Sequence, residues 1–274
     1  MRITKMRGIV MEAPIRRNKL NAKQIQLLKT IYKFRFITLS LLARYRHSDQ
    51  SSLNRNLQRL VDQKYLIKQY DNSYRIDRKA ARFSLAPTAI TWLMKNSDLN
   101  HKTIHAMYNK SEEPFVLQSL AVMETAISLK ETYPDTFYIY SASEISRDID
   151  FPKPRPHLYL RRIETDNQKK NEYFVELHHT NQPYLIRQRF KELVQHYDDE
   201  GWPDGGYPGL LFILGSARQE TSFARFAHEV LDAAGIEDLQ VYTTTYNALT
   251  YLQENKAIWR SLDDSGKLLA LTEV

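Results

Sequence analysis

Glu176, His178 and His157 are the side chains of this 274-residue chain whose types and spacing can do chemistry at a centre. Glu176 and Leu177 close a strand candidate at residues 173–177, with His178 directly after it, and His157 opens another at 157–163. One carboxylate with two imidazoles is a donor set for a transition metal and a poor one for Mg²⁺, which takes oxygen ligands. His178 and His179 are neighbours on a strand and point to opposite faces, so they cannot both join one site. Asp148 or Asp150 can add a carboxylate only if the fold brings one close, and nothing in the spacing does so. The plainer alternative is that each histidine is a surface or half-buried polar residue. A second group has different chemistry. Ser51, Ser52, Asn54, Arg55, Gln58 and Arg59 share the polar face of a helix candidate. Arginine can bond guanine bidentately, and Asn or Gln can bond adenine the same way. Ser51 and Ser52 fall where a helix N-terminus meets a phosphate. The alternative, an ordinary solvated face, fits less well, because the face carries almost no acidic residue before Asp62.

The charge distribution favours the second group. Residues 1–96 hold 21 Lys and Arg against 5 Asp and Glu, a net +16, while residues 97–274 hold 18 against 27, a net −9. A polyanion is held by a local field, so a basic third joined to an acidic two-thirds says more than the overall +7.

The elements that must carry these residues follow from periodicity. Residues 1–19 keep no period and contain Arg16 and Arg17, which suits a flexible basic arm lying on phosphates or entering a minor groove. Asn21 is an N-cap, and Ile25, Leu28, Ile31 and Tyr32 form one helical stripe. Thr38 caps a second short helix, and His47-Ser48-Asp49 is a turn. The third helix runs from about Gln50 to Gln63 over Leu53, Leu57, Leu60 and Val61. A strand candidate at 65–70 and a returning strand at 82–85 enclose Tyr74, Arg75, Arg78 and Lys79. Three helices followed by a basic hairpin describe a winged helix-turn-helix, closed by a fourth helix from Thr88.

"FITLSLLA" (36–43), "LNRNLQRL" (53–60), "YLIKQY" (65–70) and "FSLAPTAITWL" (83–93) resemble the replication-relaxation family. The resemblance covers roughly residues 20–200. It implies a winged-helix protein of plasmids and other mobile elements, associated with replication or relaxation and with conjugative transfer.

After a connector at 97–112, the remaining pattern is helix, three strands, helix, strand, helix, with a further strand and helix. That order is similar to the core of PD-(D/E)xK nucleases. The resemblance implies an Asp on one strand and Glu-x-Lys on the next, holding Mg²⁺ or Mn²⁺ for phosphodiester hydrolysis. Here Pro156-His157 stands at the first position and Glu176-Leu177-His178 at the second, so His157 replaces the Asp and His178 replaces the Lys.

Other chemistry is excluded or unmarked. The chain has no Cys, so disulfides and thiolate sites are out. No window of roughly 18 apolar residues spans a bilayer, and residues 1–5 lack the apolar run of a signal peptide. The 201–206 loop lacks the Lys-Ser/Thr of a P-loop. No Gly-x-Ser-x-Gly elbow occurs, nor the histidine triad and Tyr nucleophile of a relaxase.

The expectation is an α+β winged helix-turn-helix (20–96) behind a basic arm (1–19). An α/β restriction-endonuclease-like domain with a mixed sheet (113–260) follows, then a C-terminal tail (261–274). The protein is expected to be cytoplasmic and homodimeric and to bind double-stranded DNA. It would act in replication or relaxation, conjugative transfer or transcriptional control, with a relaxase, replication or transfer protein as partner. No cofactor and no catalysis are expected. The alternative is a metal-dependent endonuclease using Glu176, His157 and His178.

Overall fold

The computed structural model describes residues 19–70, 72–97, 112–146, 148–163, 171–180, 182–199, 201–202, 206–251, 257–262 and 267–272. Helix α1 (Ala22–Phe34) begins in a closed capping box. The Asn21 side chain accepts from the Gln24 N–H at 2.9 Å, and the Gln24 side chain accepts from the Asn21 N–H at 3.0 Å. Strand β1 (Ile37–Thr38) leads into α2 (Leu39–Arg46), capped as expected by the Thr38 hydroxyl. The helix ends where His47 turns left-handed, and α3 (Gln50–Asp62) follows. Strand β2 (Leu66–Gln69), a short helix α4 (Asn72–Ile76), strand β3 (Arg82–Leu85) and helix α5 (Pro87–Asn96) complete the basic part. The expected hairpin is there, with Leu66 opposite Leu85. Two details differ: β1 adds a third strand, in the order β1-β3-β2, and a helical turn stands between the two hairpin strands.

The acidic part starts with α6 (Glu113–Thr132), followed by β4 (Phe137–Ser141), β5 (Leu158–Arg162) and β6 (Glu172–His178). Then come α7 (Pro183–Asp198), β7 (Gly209–Leu214), α8 (Ala217–Ala234), β8 (Val241–Thr245) and α9 (Tyr246–Tyr251). Two short strands follow, β9 (Trp259–Ser261) and β10 (Leu268–Leu269). They form one seven-stranded mixed sheet in the order β10-β9-β8-β7-β6-β5-β4. The pairs from β6 to β8 are parallel and the rest antiparallel. The unbroken apolar run of β7 is buried throughout, as a central parallel strand covered on both faces requires.

The expected tail does not exist as one. A boundary at residue 260 cuts through β9, and Trp259 and Leu271 are fully buried. Two short strands without much alternation carried too little period to be read ahead of the fold.

The basic and acidic parts share one core. Residues 125–129 of α6 are all buried, so this helix has no solvent face there. A continuous apolar cluster runs from Leu28, Ile31 and Leu42 through Met123 and Ile127 to Val175, Leu211 and Trp259. A second cluster, with Phe174, Phe190, Phe212 and Phe223, fills the opposite side of the sheet beneath α7 and α8. Polar contacts cross the same junction. Arg82 is buried and grips Glu113 through two bonds of 2.5 and 2.7 Å. Lys33 meets Glu144 at 3.0 Å, and Arg44 meets Glu131 at 2.8 Å and Glu124 at 3.5 Å. Part of the charge split therefore holds the molecule together.

Truncating Leu129 to Ala should lower stability by about 2–5 kcal/mol. Because the core is shared, thermal denaturation should show one transition shifted as a whole. Two transitions of which only one moves would contradict a common core.

Candidate functional site

Strand β6 alternates its side chains between the two clusters. Tyr173, Val175 and Leu177 face the cluster shared with α6, and Phe174 faces the one under α7. Glu176 and His178 lie on the Phe174 face by the same alternation. The fold does bring the three expected residues together. Glu176 is 1% exposed, and its Oε2 lies 3.2 Å from His157 Nδ1 and 3.6 Å from His178 Nε2. His178 stacks on Phe212, while His179 points the other way and stacks on Tyr246.

The other carboxylate oxygen is taken. Arg189, buried on α7, donates to Glu176 Oε1 from Nε at 2.9 Å and from Nη2 at 2.6 Å. Its Nη1 reaches Glu192 at 3.5 Å. Gln118 of α6 completes the group: its Nε2 donates to the Leu177 carbonyl at 2.9 Å and lies 3.1 Å from His157 Nε2. The Leu177 N–H donates to His157 Nδ1 at 3.2 Å, the same ring atom that lies beside Glu176.

The electrostatics follow. Burial pushes the Glu176 carboxyl up, but the Arg189 guanidinium and the two imidazoles outweigh it and hold the group well below the usual carboxylate range. Burial lowers His178 against the pull of Glu176, so this ring is neutral near pH 7. Glu176 lowers the free energy of charged Arg189 despite its burial. The centre is thus an ion pair braced by imidazoles. The guanidinium occupies Oε1 of the carboxylate, and Oε2 faces the two imidazoles. Among the described residues no group of three or more His, Asp or Glu is arranged to hold a metal ion. Neither Asp148 nor Asp150 is among the partners of Glu176. Arg189 is the residue that the sequence reading missed. The signal was present: it stands among Ile186, Phe190, Leu193 and Val194 on a buried helical stripe, where a charge needs a partner.

The other candidate residues lie on the basic part. Ser51, Ser52, Asn54, Arg55, Gln58 and Arg59 are all exposed on α3. Arg55 and Arg59 enter no ion pair among the described residues. Two details correct the expected roles. The Asp49 carboxylate caps the helix by accepting from the Ser52 N–H at 2.7 Å, so this amide is not open to a phosphate. The Gln58 amide donates to Asp62 at 2.9 Å and must leave it to read a base. Between β2 and β3, Arg75 and Arg78 are exposed, and Lys79 meets Asp77 at 2.9 Å in an exposed pair. Tyr74 is half-buried with the Arg82 guanidinium over its ring, which makes it a packing residue of the hairpin. Arg16 and Arg17 lie outside the described residues.

Replacing Glu176 with Gln leaves the buried Arg189 charge with only the 3.5 Å contact to Glu192 and should cost about 3–5 kcal/mol in chemical denaturation. The depressed carboxyl also sets a pH dependence. Its contribution is complete above about pH 4.3, the unfolded carboxylate value, and is lost as pH falls toward the lower folded value. The Gln variant should therefore show a flatter acid limb. An unchanged limb would mean that other carboxylates govern acid unfolding.

No family model matches the chain, and no curated protein matches it. Among solved structures, the restriction endonuclease FokI bound to DNA is similar with a TM-score of 0.28 and 8% identity. A second FokI structure gives 0.27 and 7%. Each alignment covers 85% of this chain and 44% of the other, so the chain spans less than half the length of those proteins.

Proposed function

We propose that this protein is a sequence-specific double-stranded DNA-binding protein of a plasmid or other mobile element. In this reading α2, α3 and the β2–β3 hairpin form a winged helix-turn-helix. Helix α3 enters the major groove with Asn54, Arg55 and Arg59 toward base edges, and Arg75 and Arg78 of the wing lie on the backbone. The observation that carries the reading is the exposed face of α3, which keeps two arginines without acidic partners while other cations of this region are paired to the body. The target is double-stranded DNA read as paired half-sites by a homodimer in the cytoplasm. The setting is replication or relaxation, conjugative transfer or transcriptional control, as the likeness to the replication-relaxation family implies. A relaxase, replication or transfer protein is the partner class.

The body is a restriction-endonuclease-like domain without catalysis in this reading. Its helix, three antiparallel strands, helix and parallel strand support the likeness. The Glu176–Arg189 pair supports the loss of activity, since a guanidinium stands against the carboxylate that would hold a metal.

Duplex binding followed by gel shift should weaken steeply with salt, with a log–log slope of about −0.9 per phosphate contact. A slope near zero, or no binding at low salt, would sink the proposal. Arg55→Ala should cost about 1–3 kcal/mol on the selected site and little on random duplex. Equal losses on both would reduce Arg55 to a backbone contact. Supercoiled plasmid incubated with Mg²⁺ or Mn²⁺ should stay intact, and nicking by the wild-type protein would restore the nuclease reading.

A further inference from the structure

The strongest site outside the α3 face and the Glu176 centre is a cleft at the carboxyl ends of β6 and β7, between α7 and α8. It has a volume of about 630 Å³ and lies beside a second hollow of about 470 Å³ that shares Arg187, Arg218 and Ser222 with it. These volumes are in the range of small-molecule sites. The carboxyl ends of adjacent parallel strands are also where open α/β sheets place ligands.

The lining is built from two kinds of surface. The floor is apolar, with Ile186 and Phe223 buried and Pro183 beside them. The rim is cationic: Arg187 and Arg218 stand over the first hollow and Arg225 over the second. All three are exposed, and none enters an ion pair among the described residues. Among the described residues Glu229 is the one acidic side chain lining either hollow. On a part of the chain whose net charge is −9, three uncommitted guanidiniums at one cleft are unexpected. Arg187 is already oriented, lying 5.1 Å from the Phe226 ring centroid with Nη2 3.4 Å from the Ser222 hydroxyl. Gly215 fixes the depth of the cleft, because a Cβ there would come within 2.3 Å of the His179 carbonyl oxygen. The two strand ends close on each other only through glycine. The Gly215 N–H donates to Gln219 Oε1 and the Gln219 N–H to Ser216 Oγ, so these two amides do not supply the site. The anion affinity rests on the arginines.

We propose that this cleft binds a phosphorylated small molecule of the nucleotide class. Its phosphates sit between Arg187 and Arg218, and its flat apolar part lies over Pro183, Ile186 and Phe223. Guanidiniums bond phosphate oxygens bidentately, and the apolar floor gives no reason to favour bare phosphate. The site is separate from the proposed DNA-reading face and does not depend on it.

Calorimetric titration of the full chain with ATP, and separately with pyrophosphate, tests this. ATP should bind and pyrophosphate should bind at least tenfold more weakly. Arg187→Gln and Arg218→Gln should each weaken ATP at least tenfold, and the double variant should abolish it. Both positions are exposed, so the thermal transition should stay in place and show that the variants are folded. Absence of ATP binding to the wild type, or ATP binding unchanged in the double variant, would overturn the proposal. Equal affinity for ATP and pyrophosphate would overturn the nucleotide assignment. A short duplex that displaces ATP and is weakened by the same two substitutions would assign the cleft to a DNA backbone instead.

Discussion

Helix α6 is the element on which the rest of the structure depends. An α-helix turns about 100° per residue, so five consecutive buried residues leave no side open to water. Residues 125–129 are such a run, in a helix that packs against α1, α2, β1 and α9 and shares its apolar cluster with the sheet residues Val175 and Leu211. Only apolar or small side chains fit. Thr125, Ser128 and Thr132 supply small ones, and their hydroxyls find no hydrogen-bond partner among the described residues. Each such group costs about 1–3 kcal/mol, and the apolar contacts on both flanks of the helix have to outweigh that.

The same junction explains how the charge is used. Lys33, Arg44 and Arg82 face Glu144, Glu124, Glu131 and Glu113 across it. Exposed pairs such as those of Arg44 add little stability each. Their value is complementarity: they match the basic surface to the acidic one in a single register. What remains unpaired on α3 and at the hairpin is then a smaller and more specific cationic surface than the sequence total suggests. Of the acidic body's cations, Arg187, Arg218 and Arg225 meet at the α7–α8 cleft.

Much of this was legible in the residues. The Asn21 and Thr38 caps, the α3 stripe of Leu53, Leu57 and Leu60, and the β7 run of Gly209–Leu214 are local signals, and each formed the element expected of it. The meeting of His157 with Glu176 was legible as a motif position. What the motif omitted was Arg189, because a partner thirteen positions away on the next helix is fixed by packing and not by spacing. The strands β9 and β10 were hidden for a related reason. They are short, and their identity comes from pairing with β8 and with each other, not from any period of their own. The Asp49 cap was hidden by a competing reading: the same helix terminus that can take a phosphate had already been closed by a side chain one residue before it.

A shared core also has a mechanical meaning. Two domains on a flexible link behave as a tether, and whatever one of them grips leaves the other free to wander. Here α6 is a common beam, so the exposed face of α3 and the seven-stranded sheet form a single lever. A duplex seated on α3 would be held at one angle to the body, and a twist applied to the body would be transmitted to the duplex as torque.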